Sequence, residues 1–256
     1  MNVANTSSRI LNIDIYNSTQ EKLLKELTRG IVFTPNIDHL VQLQENELFY
    51  RAYKQADVIL LDSQVLFYLY RLVGKHFQEK ITGVDFFPEF CRYHAKDSRI
   101  KVFLLGGLDD SVYRAGERLN QELGRSLVVG SYSGKKGFEN DEMESQKIIN
   151  LINQSQANVL AVGIGSPQQE LWIAKYKSQL PEVNIFFAVG GTFDILSGKR
   201  KRAPRWMQKA GLEWFYRFML EPRRLFKRYF ITDLNFFYYF LLERLRIYKN
   251  PFGETL

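Results

Sequence analysis

The chain has 256 residues, 45% of them hydrophobic and 25% charged, with a net charge of +7. That balance fits one large globular domain, alone or with an appendage, and excludes wholesale disorder. Its one cysteine, Cys91, excludes an internal disulfide and fits a reducing compartment.

The first residues, MNVANTSSRILNIDIY, show no charged lead followed by an apolar run, so no signal peptide is expected. Ser18 with Glu21 three residues later reads as a capping box opening a helix over about 18–29. Six short apolar runs follow, alternating with helical patterns. They are Ile31–Phe33 in GIVFTPN, ADVILLD ending at Asp62, IKVFLLGG ending at Gly106 and Gly107, SLVVGSYSG, NVLAVGIGS and NIFFAVGG. Continuous apolar strands separated by helices predict an α/β fold. The sheet is expected to be Rossmann-like and mostly parallel, with helices on both faces. After Gly198 the composition changes. Pro204 suits the first turn of a new helix, Glu221-Pro222 should end it, and an amphipathic piece is expected over about 223–247. The expected division is a core over 1–198 and a basic, aromatic-rich helical appendage over 199–256.

Ligands of open α/β sheets bind beyond the carboxyl ends of the strands. Thr34 and Asn36, at the first such end, offer a hydroxyl and an amide for a sugar or base, or serve only as turn caps. Asp62 directly follows a buried run, where partial burial suits a general base; the other reading is a helix cap. Gly106 and Gly107 would let a phosphate approach backbone N–H groups, or form a tight turn. GIGSPQQELW, from Gly163, differs from a dinucleotide fingerprint by Gln168 at the last glycine position, and puts Gln169 and Glu170 in a first helical turn near the ligand side. VGGTFDILSG repeats the theme with Gly190, Gly191 and Asp194. No Asp-x-Asp and no Cys/His metal spacing occurs, so no metal site is expected; His39, His76 and His94 read as surface or structural.

Residues 199–230 hold eleven Lys/Arg against Glu213 and Glu221, a net of +9, and the rest of the chain sums to about −2. The longest late apolar run, Phe236–Leu242, is far below the roughly 18 residues a bilayer span needs. Three readings remain for this tail: helices lying on an anionic membrane surface, a solvated helical pair on the core, or a nucleic-acid-binding arm.

Taken together and in order, TPNIDHLV, ADVILLDSQVL, KITGVDFF, VFLLGG, GIGSPQQELWI, VGGTFDILSGKRKRAP and WMQKAGLEWFYRFMLEPRRLFKRY closely resemble the WecG/TagA/CpsF family of bacterial glycosyltransferases, over roughly residues 10–230. The resemblance implies an inverting, metal-independent enzyme without a cofactor. It would move a sugar, N-acetylmannosamine or a related type, from a UDP-sugar to a polyprenyl-diphosphate-linked sugar in teichoic acid or cell-surface polysaccharide synthesis. UDP-glucose or another hexose donor, and a non-catalytic nucleotide- or nucleic-acid-binding module, are the alternatives. By the same resemblance Asp62 is the base and Thr34 a second catalytic residue, Thr34 and Asn36 form the family's Thr-x-Asn motif, Asn36 binding substrate, Gln169 belongs to its Gly-x-Pro-x-Gln-Glu motif, and some of Arg217, Arg223 and Arg224 complete the site. Ser63 departs from the family, in which many members have Gly. The tail is then expected to dock on the inner face of the cell membrane, with no nucleic-acid partner and with apolar surface that would permit a homo-oligomer.

Overall fold

The computed structural model describes residues 7–107 and 109–253. The first six residues of the expected core and the last three of the expected appendage lie outside the described residues.

A six-stranded parallel sheet organises the molecule. Its strands are β3 (Gly30–Phe33), β4 (Val58–Ile59), β5 (Val102–Gly106), β6 (Val128–Tyr132), β7 (Val159–Gly163) and β8 (Ile185–Ala188), in the spatial order β4-β3-β8-β7-β5-β6. They follow a two-stranded antiparallel hairpin, β1 (Ser7–Ile10) and β2 (Ile13–Tyr16), that the sequence reading did not anticipate. The alternation of side chains along a strand divides the core in two. Phe33, Leu105, Val162 and Ala188 face one apolar layer, and Val32, Leu104, Ala161 and Phe187 face the other. Burial on both faces explains why β3, β5, β7 and β8 read as unbroken apolar runs.

Helices cover both layers. They are α1 (Gln20–Glu26), α2 (Ile37–Glu45), α3 (Glu47–Tyr53), α4 (Gln64–Leu72), α5 (Gly83–Tyr93), α6 (Ser111–Leu123), α7 (Glu142–Ser155), α8 (Gln168–Tyr176) and α9 (Thr192–Leu196). Two expected boundaries move. The cap of α1 is Thr19, which accepts the Lys22 N–H at 3.2 Å, rather than Ser18; the helix ends earlier because buried Leu27 is extended. The strand before Asp62 holds only Val58 and Ile59. As the edge strand, β4 pairs with β3 alone, and beyond it the chain stays beside β3 through Leu60 N–H to Phe33 O (2.8 Å) and Asp62 N–H to Pro35 O (3.3 Å).

Past Gly198 come α10 (Arg205–Lys209), α11 (Glu213–Leu220), α12 (Pro222–Lys227), one wide π-type turn (Arg228–Thr232) and α13 (Asn235–Arg244). The break at Glu221-Pro222 falls where the proline demands. No helix among the described residues is long and apolar enough to cross a membrane. The last helix is tied to the core. Phe236 is fully buried among the residues of one apolar layer, and Phe240 stacks edge-on against Tyr70 at 5.4 Å. Glu243 accepts from Leu11 N–H (3.1 Å), Tyr70 O–H (2.6 Å) and Lys75 Nζ (2.8 Å). By contrast, α10–α12 and the wide turn expose Trp206, Met219, Phe226 and Ile231.

Replacing Phe236 by alanine leaves a cavity where α13 meets the core. It is expected to lower unfolding free energy by about 3–5 kcal/mol, measured by urea denaturation. A loss below about 1 kcal/mol would show that α13 is only loosely held.

Candidate active site

Asp62 sits at the end of the β4 run, just before Ser63. Ser63, not Asp62, caps α4, its hydroxyl accepting the Leu66 N–H at 3.3 Å. The capping alternative for Asp62 is thereby filled by its neighbour, and the carboxyl is left for other work. Asp62 keeps some contact with solvent. Burial pushes its pKa up to about 7, helped by the like charge of Glu213 and opposed by Lys80, Arg217 and Arg202. Glu213 and Arg217 are one turn apart on α11, so the C-terminal segment brings both signs of charge to this carboxylate.

The tail segment is fixed there by ion pairs. Arg202 makes a bidentate pair with Asp85, whose Oδ2 also accepts from Thr82 Oγ1 at 2.6 Å; Arg202 Nε lies 3.4 Å from Glu213. Arg200 reaches Glu221 at 3.0 Å and Asp194 at 3.8 Å. Asp85 is half-exposed, and the Arg202 and Thr82 contacts outweigh its burial, holding its carboxyl below the ordinary range.

Thr34 and Asn36 leave β3 on the same side of the sheet. Thr34 Oγ1 is 3.4 Å from Ala188 O, at the end of neighbouring β8. A Cβ on Gly83 would stand 2.9 Å from that hydroxyl, so glycine at the start of α5 makes room for Thr34. Asn36 caps α2, its Oδ1 accepting the His39 N–H at 3.3 Å, and the same oxygen accepts from Arg228 Nη2 at 2.9 Å.

The glycine turns pack tightly against one another. Gly107 donates its N–H to Gly163 O at 2.8 Å, and a Cβ on Gly106 would stand 2.7 Å from that carbonyl. A Cβ on Gly163 would stand 2.7 Å from Gly190 O. These contacts account for glycine by the close approach of β5, β7 and β8, and the Gly107 N–H is already committed within the protein. Gly191 faces Arg200, whose Nη1 would be 3.3 Å from a Cβ there.

Gln169 is buried. Its Oε1 accepts the Gly190 N–H at 3.0 Å and its Nε2 donates to Glu170 Oε1 at 2.8 Å, so it ties the turn after β8 to the start of α8. Glu170 is fully buried and its Oε2 has no hydrogen-bond partner among the described residues. Burial pushes it up to about 7. His39 Nδ1 lies 4.0 Å from Glu170 and 2.7 Å from Tyr53 Oη. Burial, with the charge of Arg228, drives His39 down to about 3, so it is neutral near pH 7 and this approach is not an ion pair.

Of the three arginines drawn from the sequence, Arg217 is the one that acts on Asp62. Arg224 pairs with Glu221 on its own segment, and Arg223 is exposed without an ion pair among the described residues. The sequence reading did not single out Lys80, Arg202, Glu213 or Arg228. Lys80 lies in the KITGVDFF segment ahead of the Thr82 cap of α5, a signal that was visible. Arg202, Glu213 and Arg228 were hidden inside a uniformly basic stretch.

A carboxylate and several cations thus gather beyond the strand ends of a parallel sheet, where ligands of such folds bind, and comparison with known proteins gives the class: the chain is a glycosyltransferase. It belongs to the glycosyl transferase WecG/TagA/CpsF family, whose model matches residues 8–250. It is similar to the N-acetylglucosaminyldiphosphoundecaprenol N-acetyl-beta-D-mannosaminyltransferase of Bacillus subtilis strain 168, 29% identical over 224 residues, 84% of each chain. The enzyme of the same name from Bacillus spizizenii is 28% identical over 195 residues, covering 76% of this chain and 73% of that one.

The titration of Glu170 has a consequence for stability. Its folded pKa is raised, so between the ordinary carboxylate range and about pH 7 the folded protein holds a proton that the unfolded chain has released. Stability therefore falls as pH rises through that window. Glu170→Gln keeps an acceptor for Gln169 and removes the charge. Its melting temperature relative to the unmodified protein is expected to improve from pH 5 through about pH 7 and then to level off. A difference independent of pH would show that Glu170 does not titrate there.

Proposed function

We propose that the protein is an inverting, metal-independent glycosyltransferase. It moves an N-acetylmannosamine-type sugar from a UDP-sugar onto a polyprenyl-diphosphate-linked sugar, in the synthesis of teichoic acid or a related cell-surface polymer. The relatives' names support the sugar and the lipid-linked acceptor. The observation that carries the reading is Asp62, a carboxyl poised near neutrality with Arg217, Arg202 and Lys80 acting on it.

In this reading the acceptor hydroxyl attacks C1 of the donor sugar while Asp62 takes its proton. The bond from C1 to the diphosphate oxygen breaks, the electron pair leaves with UDP, and the configuration at C1 inverts. Negative charge grows on the diphosphate, and arginine suits it because guanidinium pairs with phosphate oxygens in a fixed fork. Cations supplied by the chain itself support a metal-independent transfer. Thr34 and Asn36 contact the donor, and Gln169, Gly106, Gly107, Gly163, Gly190 and Gly191 hold the turns that shape its site.

The segment from 199 onward is the membrane-docking appendage in this reading, with α13 as its root in the core. Lys201, Arg205, Lys209, Arg223 and Lys227 are exposed and carry no ion pair among the described residues. Each is worth about 1 kcal/mol at an anionic surface. They are interleaved with exposed Trp206, Met219, Phe226 and Ile231, the pattern of helices lying in a lipid interface on the inner face of the cell membrane.

Asp62→Asn is expected to cut kcat by about 10²–10⁴-fold while UDP still binds, measured as UDP release with a diphosphate-lipid-linked GlcNAc acceptor and EDTA present. Because only the ionised carboxyl accepts a proton, turnover of the unmodified enzyme should rise through half its maximum near pH 7 and level off about one unit above it. Full activity of the variant would remove Asp62 from the role of base. Combining Trp206→Ser, Met219→Ser and Ile231→Ser should weaken sedimentation with anionic vesicles and leave thermal unfolding unchanged. Undiminished vesicle binding, or tight binding to single-stranded DNA instead, would overturn the docking reading.

A further inference from the structure

Asn36 Oδ1 is engaged twice. It accepts the His39 main-chain N–H at 3.3 Å and Arg228 Nη2 at 2.9 Å, and neither neighbour has anything but a proton to offer it. The amide of Asn36 therefore has one orientation: its oxygen faces these donors, and its Nδ2 faces away. Asn36 is partly exposed, and Nδ2 has no hydrogen-bond partner among the described residues. Without Arg228, capping alone would hold the oxygen through a single 3.3 Å contact.

Arg228 is itself held for this task. Its Nη2 lies 3.5 Å from Asp38 Oδ2, and it opens the wide turn that leads to Asp233 and α13. Asp233 N–H closes that turn on Arg228 O at 2.7 Å. The guanidinium thus bridges the C-terminal segment and the tip of β3, 192 positions apart in the chain.

We propose that Arg228 is a positioning residue that sets the side-chain amide of Asn36, so that the donor sugar-nucleotide meets an N–H at Asn36 and binds there through an oxygen acceptor. The inference rests on Asn36 contacting the donor, as in the function proposed above. It also makes correct seating of the wide turn a condition for tight donor binding, because the arginine arrives from that turn.

The test is a double-mutant cycle read as kcat and KM for the donor. Arg228→Ala is expected to raise the donor KM about tenfold, the loss of roughly one charge-assisted hydrogen bond, with a much smaller change in kcat. Arg228→Lys, which can still donate, should recover part of it. The combined Asn36→Ala and Arg228→Ala variant should be no worse than Asn36→Ala alone, because the arginine acts through the asparagine. Asn36→Asp keeps the cap and both acceptor contacts but lacks the N–H, and should lose donor affinity. Additive effects in the cycle, or an Asn36→Asp enzyme with unchanged KM, would overturn the proposal. If the unmodified enzyme released no UDP from any UDP-sugar, the proposed function would fail instead, and hydrogen exchange would then decide. Faster exchange of the His39 amide in Arg228→Ala supports the positioning role; an unchanged rate refutes it.

Discussion

The charge balance at the site depends on the C-terminal segment lying across the strand ends and being held at both of its own ends. At the near end Arg202 grips Asp85 and Arg200 lies 3.8 Å from Asp194. At the far end Phe236 is sunk in the core and Glu243 collects three donors from the hairpin turn and α4 with its following turn. Between these two holds, Arg217 and Glu213 act on Asp62.

With the segment in place, Asp62 is subject to opposed influences. Burial and Glu213 favour its protonated form, and Lys80, Arg217 and Arg202 favour its ionised form. The outcome near neutrality suits the role of base proposed for it. Glu170 reaches a similar value by a different route, through burial opposed only by local hydrogen bonds. Its surroundings are sealed and its neighbour His39 is neutral, so it belongs to the framework that holds the glycine turns.

The sheet was legible in the sequence because a strand buried on both faces must be apolar throughout, and GIVF, VFLLG, VLAVG and IFFA are. The hairpin was not. Its turn carries no Asn-Gly or Asp-Gly signature. Leu11 adopts φ +48, and its N–H is satisfied by Glu243 from the far end of the chain, so the turn is specified by a contact that no local window contains. The same limit applies to the candidate site. Asp62, Thr34 and Asn36 stand at strand ends, and strand ends can be read locally. Which of many tail cations reaches them is set by contacts distant in sequence, such as Arg202 with Asp85 and Arg228 with Asn36, and a run as basic as EPRRLFKRY does not encode that choice in its composition.

The rooting of α13 also bears on ancestry. A segment that merely carried an enzyme to a surface could be exchanged between relatives by cutting the chain near Gly198 and joining another tail. Here such a graft would withdraw Phe236 from the apolar core and Glu243 from the backbone of the β1–β2 turn. Glu213 and Arg217 on α11 answer to Asp62, and the flank of the segment at α13 answers to the hairpin and α4, so a change in one part of the chain has to be matched in the other.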